Sequence, residues 1–154
     1  MKLQHFCTTT YIFNEEGNKT LLIFHKKIAA YLPPGGHIEE NEDYFESSQR
    51  EVVEELGVKS SYLSYPEYLN GLEDKTMQPW AIQKYEIIPE KHYHFDLIFV
   101  AITSEDIKII PRDGESMDFR WFNVDEISKI NTTKECRSNI IRMSLSIKNH
   151  REGR

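Results

Sequence analysis

The chain has 154 residues, a length that suits one domain with a hydrophobic core of its own. Hydrophobic residues make up 39% of the sequence and charged residues 29%, proportions typical of a globular protein in water. The formal net charge of −6 comes without any block of lysine or arginine, which argues against nucleic acid or an anionic membrane as a non-specific partner. We therefore expect a single domain over residues 1–154.

The first predicted elements are two strands joined by a hairpin. Residues 6–13 are rich in threonine, tyrosine and phenylalanine, which favours a strand. Residues 14–18 contain Gly17, whose freedom at positive φ suits a tight turn, and residues 20–26 then form the returning strand. The sequence Pro-Pro-Gly-Gly at residues 33–36 predicts the end of extended structure and the start of a loop.

A helix is predicted after this loop. Asp43 and Glu46 have the spacing of a capping box, so the helix should begin there. Gly57 has the character of a glycine just past the last helical residue, where a left-handed conformation is common. Residues suited to packing repeat along one face of this helix: Phe45, Ser48, Val52 and Leu56.

The second half of the chain predicts further strands and then helices. In chain order these are a short strand or turn at 62–68, paired strands at 80–88 and 92–103, a strand at 119–124, and helices at 125–130 and 133–148. Strands first, one helix in the middle and helices last are typical of an α+β domain with a mixed sheet.

The two cysteines, Cys7 and Cys136, are far apart and have neither metal-binding nor redox spacing. We interpret them as reduced thiols of a cytoplasmic protein. No apolar segment typical of a signal peptide follows Met1, and the longest apolar run, residues 97–102, is too short to span a bilayer. These features predict a cytoplasmic location and no membrane partner.

Three glutamates define the chemistry of the predicted helix. Glu51, Glu54 and Glu55 have the spacing i, i+3 and i+4, so their carboxylates are neighbours on its surface. Carboxylates placed this way repel one another unless a cation lies between them, and a hard divalent cation prefers such oxygen ligands. The alternative is a solvated acidic helix with ordinary ion pairs, but Arg50 is the sole basic residue within residues 39–55. The spacing therefore predicts a Mg²⁺ or Mn²⁺ site.

Residues 36–58 resemble the Nudix box, G-x5-E-x7-R-E-U-x-E-E-x-G-U, in which U is a bulky aliphatic residue. Every specified position is filled, by Gly36, Glu42, Arg50, Glu51, Val52, Glu54, Glu55, Gly57 and Val58. Weaker similarity to the same family extends over residues 21–27, 32–35 and 120–126. The resemblance implies a Nudix-type α/β/α sandwich with a mixed β-sheet and the box helix packed against it.

By this resemblance, the metal is held by the three glutamates of the box helix: Glu51, Glu54 and Glu55. The backbone carbonyl of Gly35 is a further candidate ligand, because glycine lets the backbone approach an ion closely. Among the box residues we favour Glu54 for orienting or deprotonating the attacking water. Arg50 is expected to orient a box carboxylate, and Glu42 to hold the loop to the helix through Arg50.

Candidate residues outside the box keep open alternatives. Members of the family often use one more acid from a distant loop, and Glu115, in a glycine-containing turn, is either this catalytic acid or a plain turn residue. His92, His94 and Asp96 share one face of a strand, where they form solvated surface, contact a substrate phosphate or bind a second metal. Lys27 either reaches a phosphate or lies at a solvated strand end.

The resemblance implies an enzyme that cleaves a phosphoanhydride bond with Mg²⁺ or Mn²⁺ as cofactor. Its substrate would be a small molecule, a nucleoside diphosphate linked to another moiety that the box does not identify. The alternative is a non-catalytic Nudix-like module that senses a nucleotide, although relatives of that kind tend to lose box residues. A homodimer is an open alternative as well, because small domains commonly form symmetric dimers.

Overall fold

The computed structural model describes residues 2–73 and 76–153. In chain order its strands and helices are β1 (Leu3–Phe13), β2 (Lys19–His25), β3 (Ala30–Leu32), β4 (Gly35–His37), α1 (Tyr44–Leu56), β5 (Leu72–Glu73), β6 (Thr76–Met77), β7 (Ala81–Ile88), β8 (His92–Ile102), β9 (Phe119–Asn123) and α2 (Lys134–Arg151). Two short 3₁₀ helices, Ser60–Tyr62 and Val124–Lys129, lie between them.

One mixed sheet forms the centre of the molecule. Its strand order is β3-β2-β1-β8-β7, with β4 added beside β1 and β9 beside β2. The parallel pair is β1 and β8, from Leu3 opposite His92 to Phe13 opposite Ile102. The last residues of β1 pair with β2, whereas residues 7–9 pair with β4. This division brings the chain that precedes α1 back to the middle of the sheet.

Each face of the sheet is covered by one α-helix. Successive residues of β1 point to opposite sides, so neighbours along this strand pack against different helices. Phe13 belongs to a buried cluster with Ile140 of α2. Its neighbour Ile12 belongs to the opposite cluster, with Val52 and Leu56 of α1. The arrangement is an α/β/α sandwich, which confirms the predicted fold class.

The ends of α1 follow from its local sequence. The Asp43 carboxylate accepts hydrogen bonds from the backbone N–H groups of Phe45 and Glu46, and the Glu46 carboxylate accepts from the Asp43 N–H. This complete capping box confirms the predicted start of the helix. At the other end Gly57 has a φ of +68°, and a Cβ there would collide with the carbonyl oxygen of Ile110. The segment after β8 therefore packs directly against the end of α1.

The predicted hairpins of β1 with β2 and of β7 with β8 are confirmed. The prediction that residues 33–36 begin a loop is wrong for the two glycines, since Gly35–His37 form β4 and pair with β1. A Cβ on Gly35 would collide with the carbonyl oxygen of Thr8, so the lack of a side chain permits this close pairing.

The helices near the C-terminus are confirmed in position but differ in kind. The helix predicted at 133–148 is α2, Lys134–Arg151, whereas the helix predicted at 125–130 is a 3₁₀ helix, Val124–Lys129. Within residues 2–73 and 76–153, none of the helices combines the length and apolar character that crossing a membrane would need.

Candidate catalytic and metal site

Arg50 organises the acidic edge of α1. Its guanidinium donates twice to Glu42, with Nε–Oε2 and Nη2–Oε1 distances of 2.9 and 2.8 Å. Nη1 lies 2.9 Å from Glu51 and 3.3 Å from Glu54, and Nη2 donates to the carbonyl oxygen of His37 at 3.0 Å. These hydrogen bonds from Arg50 lower the pKa of Glu42 to about 2. The predicted link between Glu42 and Arg50 is therefore confirmed.

Two glycines of β4 let the backbone lie against the box carboxylates. The N–H of Gly35 donates to Oε1 of Glu55 at 3.0 Å. A Cβ on Gly36 would collide with the carboxylate of Glu51. A side chain at Gly36 would therefore displace the Glu51 carboxylate from this position.

Glu55 is the box carboxylate with the most strongly shifted pKa. The pKa of its carboxyl is raised from 4.5 to about 8, first by burial and then by the negative charges of Glu51 and Glu115, against the opposing hydrogen bond from Gly35. A divalent cation beside these carboxylates would favour the ionised form of Glu55. Because all the donor atoms are oxygens, the site fits Mg²⁺ or Mn²⁺.

A cleft of about 560 Å³ opens beside this acidic edge. Its volume lies within the range of small-molecule sites, roughly 300–1,000 Å³. The residues around it include Gly35, Glu55 and Glu115 at the acidic end, Tyr85, His94 and Asp96 on β7 and β8, and Thr133, Glu135 and Cys136 at the start of α2. A larger depression of about 800 Å³, among residues 57–64 and 102–110, includes none of the predicted site residues.

The cleft wall formed by β1, β4 and β8 carries a thiol, imidazoles and a carboxyl. Cys7 lies opposite His37 on β4 and opposite Asp96 on β8. Nε2 of His37 is 3.4 Å from Nε2 of His94, and the Thr9 hydroxyl donates to Asp96 at 2.7 Å. Burial raises the pKa of Asp96 to about 6, and burial together with the charge of Asp96 raises that of the Cys7 thiol to about 12. Near neutral pH the Cys7 thiol is therefore protonated, whereas a pKa of about 6 leaves Asp96 mostly ionised.

The structure brings most of the predicted site residues to one region. Ion pairs join Arg50 to Glu51 and Glu54. A hydrogen bond joins Gly35 to Glu55, and Glu115 and His94 line the cleft. Glu54 is held by a second arginine as well, since Nη1 of Arg112 lies 2.9 Å from its Oε1.

Lys27 and His92 are not among the described residues that line the cleft. Lys27 is exposed in the turn between β2 and β3, although its neighbours His25 and Ile28 do line the cleft. Nε2 of His92 is buried without a hydrogen-bond partner in the described part of the chain, and its ring lies 4.9 Å from that of His94. His92 thus packs in a cluster of histidines on the same face of the sheet as His94, outside the described residues that line the cleft.

The sequence did not point to Cys7 and His37 as residues of this region. Cysteine spacing gave no signal, because the neighbours of Cys7 come from two other strands. The alternation of His92, His94 and Asp96 along β8 was a partial signal, since it placed three polar side chains on one face.

The fold matches solved structures over nearly its whole length. A hydrolase of the NUDIX family from Clostridium perfringens has a TM-score of 0.74 with this chain, covers 93% of it and 95% of its own length, and is 24% identical. The Ap4A hydrolase of C. elegans, in a binary complex, has a TM-score of 0.72 with coverage of 97% and 99% at 17% identity. At these identities the similarity concerns the fold.

Sequence comparison identifies a curated relative and a family. The m7GpppN-mRNA hydrolase NUDT17 of Bos taurus is 26% identical over 113 residues. The match covers 68% of this chain and 35% of that protein, so the chain spans about a third of the length of this relative. The NUDIX domain model matches residues 4–143, which contain the whole box and both walls of the cleft. The chain belongs to the NUDIX domain family.

Proposed function

We propose that the protein hydrolyses a phosphoanhydride bond in a nucleoside diphosphate linked to another moiety. The observation that supports this proposal is the meeting of the box carboxylates with a cleft of about 560 Å³, which Glu55 and Glu115 line. A phosphate chain and crowded carboxylates are both negative, so a cation between them is needed for both to occupy one site. The products would be a nucleoside monophosphate and a phosphorylated second moiety, or pyrophosphate where that moiety is phosphate.

Mg²⁺ or Mn²⁺ is the proposed cofactor, held by Glu51, Glu54 and Glu55 with the carbonyl of Gly35 as a further ligand. Such an ion supplies neutralisation of phosphate charge and a bound water of lowered pKa. Glu54 would hold the ion with its remaining lone pairs, and its pair with Arg112 is the easier of its two ion pairs to lose, because that side chain is 66% exposed.

Two glutamates, Glu54 and Glu115, are candidates for activating the water. The resemblance favours Glu54, whereas the geometry favours Glu115, which lines the cleft and whose charge acts on the Glu55 carboxyl. Glu54 is not among the described residues that line the cleft, and its carboxylate contacts Arg50 and Arg112. We therefore assign water activation to Glu115 and metal binding to Glu54, with Arg50 as the residue that positions the box carboxylates.

The substrate contacts are assigned by access to the cleft. His94 is the best placed of the predicted substrate residues, because it lines the cleft and imidazole N–H groups donate to phosphate oxygens. Lys27 and His92 would need to move to reach a ligand there. The names m7GpppN-mRNA hydrolase and Ap4A hydrolase both describe substrates in which a phosphate chain joins two nucleosides. We therefore place free dinucleoside polyphosphates first among the candidate substrates.

A substrate screen with matched variants tests this proposal. The purified protein would be assayed with Mg²⁺ and Mn²⁺ against deoxynucleoside triphosphates, nucleotide sugars, ADP-ribose, NADH and diadenosine polyphosphates. We expect Glu55→Gln and Glu115→Gln each to lower kcat by about 100-fold or more, because they remove a metal ligand and the water-activating group. Glu46→Gln is the control, since it removes the same charge from α1 while glutamine keeps the capping box.

Equal turnover by Glu55→Gln and Glu46→Gln would contradict the proposed site. Tight nucleotide binding by the wild type without metal-dependent turnover would instead support the alternative of a non-catalytic sensing module. Three expectations from the sequence stay predictions: the single domain, the cytoplasmic location and the lack of nucleic acid partners. The homodimer stays an open alternative.

A further inference from the structure

Three strands bring a thiol and two imidazoles together on the cleft wall. Cys7 on β1 lies opposite His37 on β4 and opposite Asp96 on β8, which places His94, two residues before Asp96, on the same face of the sheet. The potential ligand atoms of Cys7, His37 and His94 all lie within 4.8 Å of one another. The sheet topology, rather than any local motif, creates this convergence.

We propose that Cys7, His37 and His94 form a binding site for a divalent transition-metal ion of the zinc class, separate from the carboxylate site of α1. This inference goes beyond the proposed hydrolysis, because it concerns different residues and a different class of metal. Sulfur and imidazole nitrogen are ligands that zinc and cobalt prefer, whereas magnesium prefers the oxygens of the box glutamates.

The distances fit a tetrahedral ion after a small adjustment. Zinc bonds of about 2.0–2.1 Å to nitrogen and about 2.3 Å to sulfur place two nitrogen ligands roughly 3.3 Å apart and a nitrogen and a sulfur roughly 3.6 Å apart. Nε2 of His37 and Nε2 of His94 are already 3.4 Å apart. Since all the ligand atoms lie within 4.8 Å of one another, the sulfur must approach by at most about 1.2 Å, which side-chain rotation supplies. A hydrogen bond between the two imidazoles explains their distance alone but not the convergence of Cys7.

Two further imidazoles surround this group. The ring of His5 lies 4.9 Å from that of His37 and 4.9 Å from that of His92. Nε2 of His92 is buried without a hydrogen-bond partner in the part of the chain that the structure describes, which is uncommon for a buried ring nitrogen. Histidine rings so close together repel when protonated, and binding a cation requires that they be neutral. His5 is stacked on His37 and therefore supports the orientation of that ligating ring.

Metal binding at this site releases one proton, that of the Cys7 thiol. The Cys7 thiol gives its proton to the solvent and binds as the thiolate, while both histidines bind through neutral nitrogens. Three protein ligands leave a fourth position for a water or for a ligand oxygen in the cleft. Since His37, His94 and Cys7 all line the cleft, an ion here would be accessible to its occupant.

Cobalt binding tests the site independently of enzyme activity. Co²⁺ would be titrated into the full chain in the presence of excess Mg²⁺, which occupies carboxylate sites but not thiolate sites. We expect a thiolate-to-cobalt charge-transfer band in the near ultraviolet and the intense visible bands of a four-coordinate ion. Added Zn²⁺ should displace Co²⁺ and abolish these bands. Cys7→Ser should abolish the charge-transfer band, and His94→Gln should weaken Co²⁺ binding by about tenfold or more.

Matched variants separate this site from other thiols and imidazoles. Cys136→Ser removes the other cysteine of the cleft. His150→Gln removes an imidazole of α2, whose ring stacks on that of Tyr68 at a centroid distance of 3.7 Å. Both should keep the wild-type cobalt spectrum. The proposal is overturned if the wild type shows no charge-transfer band, if Cys136→Ser loses the band, or if His94→Gln binds Co²⁺ as tightly as His150→Gln. Because His94 is only half-buried, that variant decides the matter even if Cys7→Ser fails to fold.

Discussion

At the residue scale, Arg50 illustrates how one side chain can order several acids. Its side chain is 20% exposed and bridges Glu42 and Glu51 with contacts of 2.8 and 2.9 Å. The planar fork of a guanidinium suits this role, because it presents several donors in fixed directions. Arg112 differs, since it is 66% exposed and contacts Glu54 through one nitrogen.

Lysine in place of Arg50 should destabilise the protein although it keeps the charge. We expect Arg50→Lys to lower the free energy of unfolding by about 1–3 kcal/mol, because a single ammonium cannot make the paired hydrogen bonds to Glu42 and also reach Glu51. Arg112→Lys should change it by less than about 0.5 kcal/mol, as expected for an exposed ion pair. Urea unfolding of the metal-free protein measures both values, and equal losses would contradict the role given to Arg50.

At the element scale, the end of α1 is tied to the segment that carries Glu115. The N–H of Ile110 donates to the carbonyl of Leu56 at 2.9 Å, and the N–H of Arg112 donates to the carbonyl of Glu54 at 3.0 Å. These bonds satisfy carbonyls that a helix end leaves without partners. The box helix and the turn of Glu115 are therefore held at a fixed distance by backbone contacts.

A side chain at Gly57 should disturb this junction. Gly57→Ala would add the strain of a left-handed residue, about 1–2 kcal/mol, and a collision with the carbonyl of Ile110. Gly114→Ala is the matched control, because Gly114 has a φ of +91° but open space around its Cα. We expect the larger loss of stability in Gly57→Ala by chemical denaturation, accompanied by a fall in kcat. Similar losses in the two variants would show that the contact with Ile110 has no energetic weight.

The elements that the sequence predicted are those with local signals. The capping box of Asp43 and Glu46 and the turn at Gly17 depend on residues a few positions apart, so the sequence contains their whole cause. The strand at Gly35–His37 was missed because glycine disfavours strands by itself. Its cause is tertiary, since pairing with β1 overrides that preference.

At the scale of the whole molecule, Glu55 links stability to pH. Its pKa is raised from 4.5 to about 8 in the folded protein, so between these values the folded state binds more protons than the unfolded state. The stabilisation from this group is fully present below the lower value and is lost as the pH rises through the upper one. Bound Mg²⁺ should reverse the trend, because it favours the ionised carboxylate and competes with the proton.

Unfolding measurements on the metal-free protein between about pH 5 and pH 8 test this linkage. We expect the free energy of unfolding to fall by up to about 1.4 kcal/mol per pH unit from Glu55. Glu55→Gln should remove this part of the slope, and Glu46→Gln should keep it. Identical slopes for wild type and Glu55→Gln would contradict the raised pKa, and added Mg²⁺ should stabilise the wild type more at the higher pH.

The candidate site divides into a part that the sequence predicted and a part that it could not. The box residues lie within one stretch of chain, residues 36–58, so their spacing already indicates their chemistry. The opposite wall depends on which strands pair, and the parallel register of β1 with β8 joins the two halves of the chain. No local pattern around Cys7 or His94 specifies that register, so their proximity becomes visible only in three dimensions.

The pairing of β1 with β8 also sets an order of events in folding. Helix α1 and the hairpin of β1 and β2 use near neighbours, whereas β1 finds its long parallel partner only after the chain through Ile102 exists. Contacts between such distant segments form slowly, because a large loop must close first. During synthesis the box is therefore complete well before the cleft that it serves. Until β8 has been synthesised, one edge of β1 is unpaired. Another extended chain can pair with this edge during that time, in the place of β8.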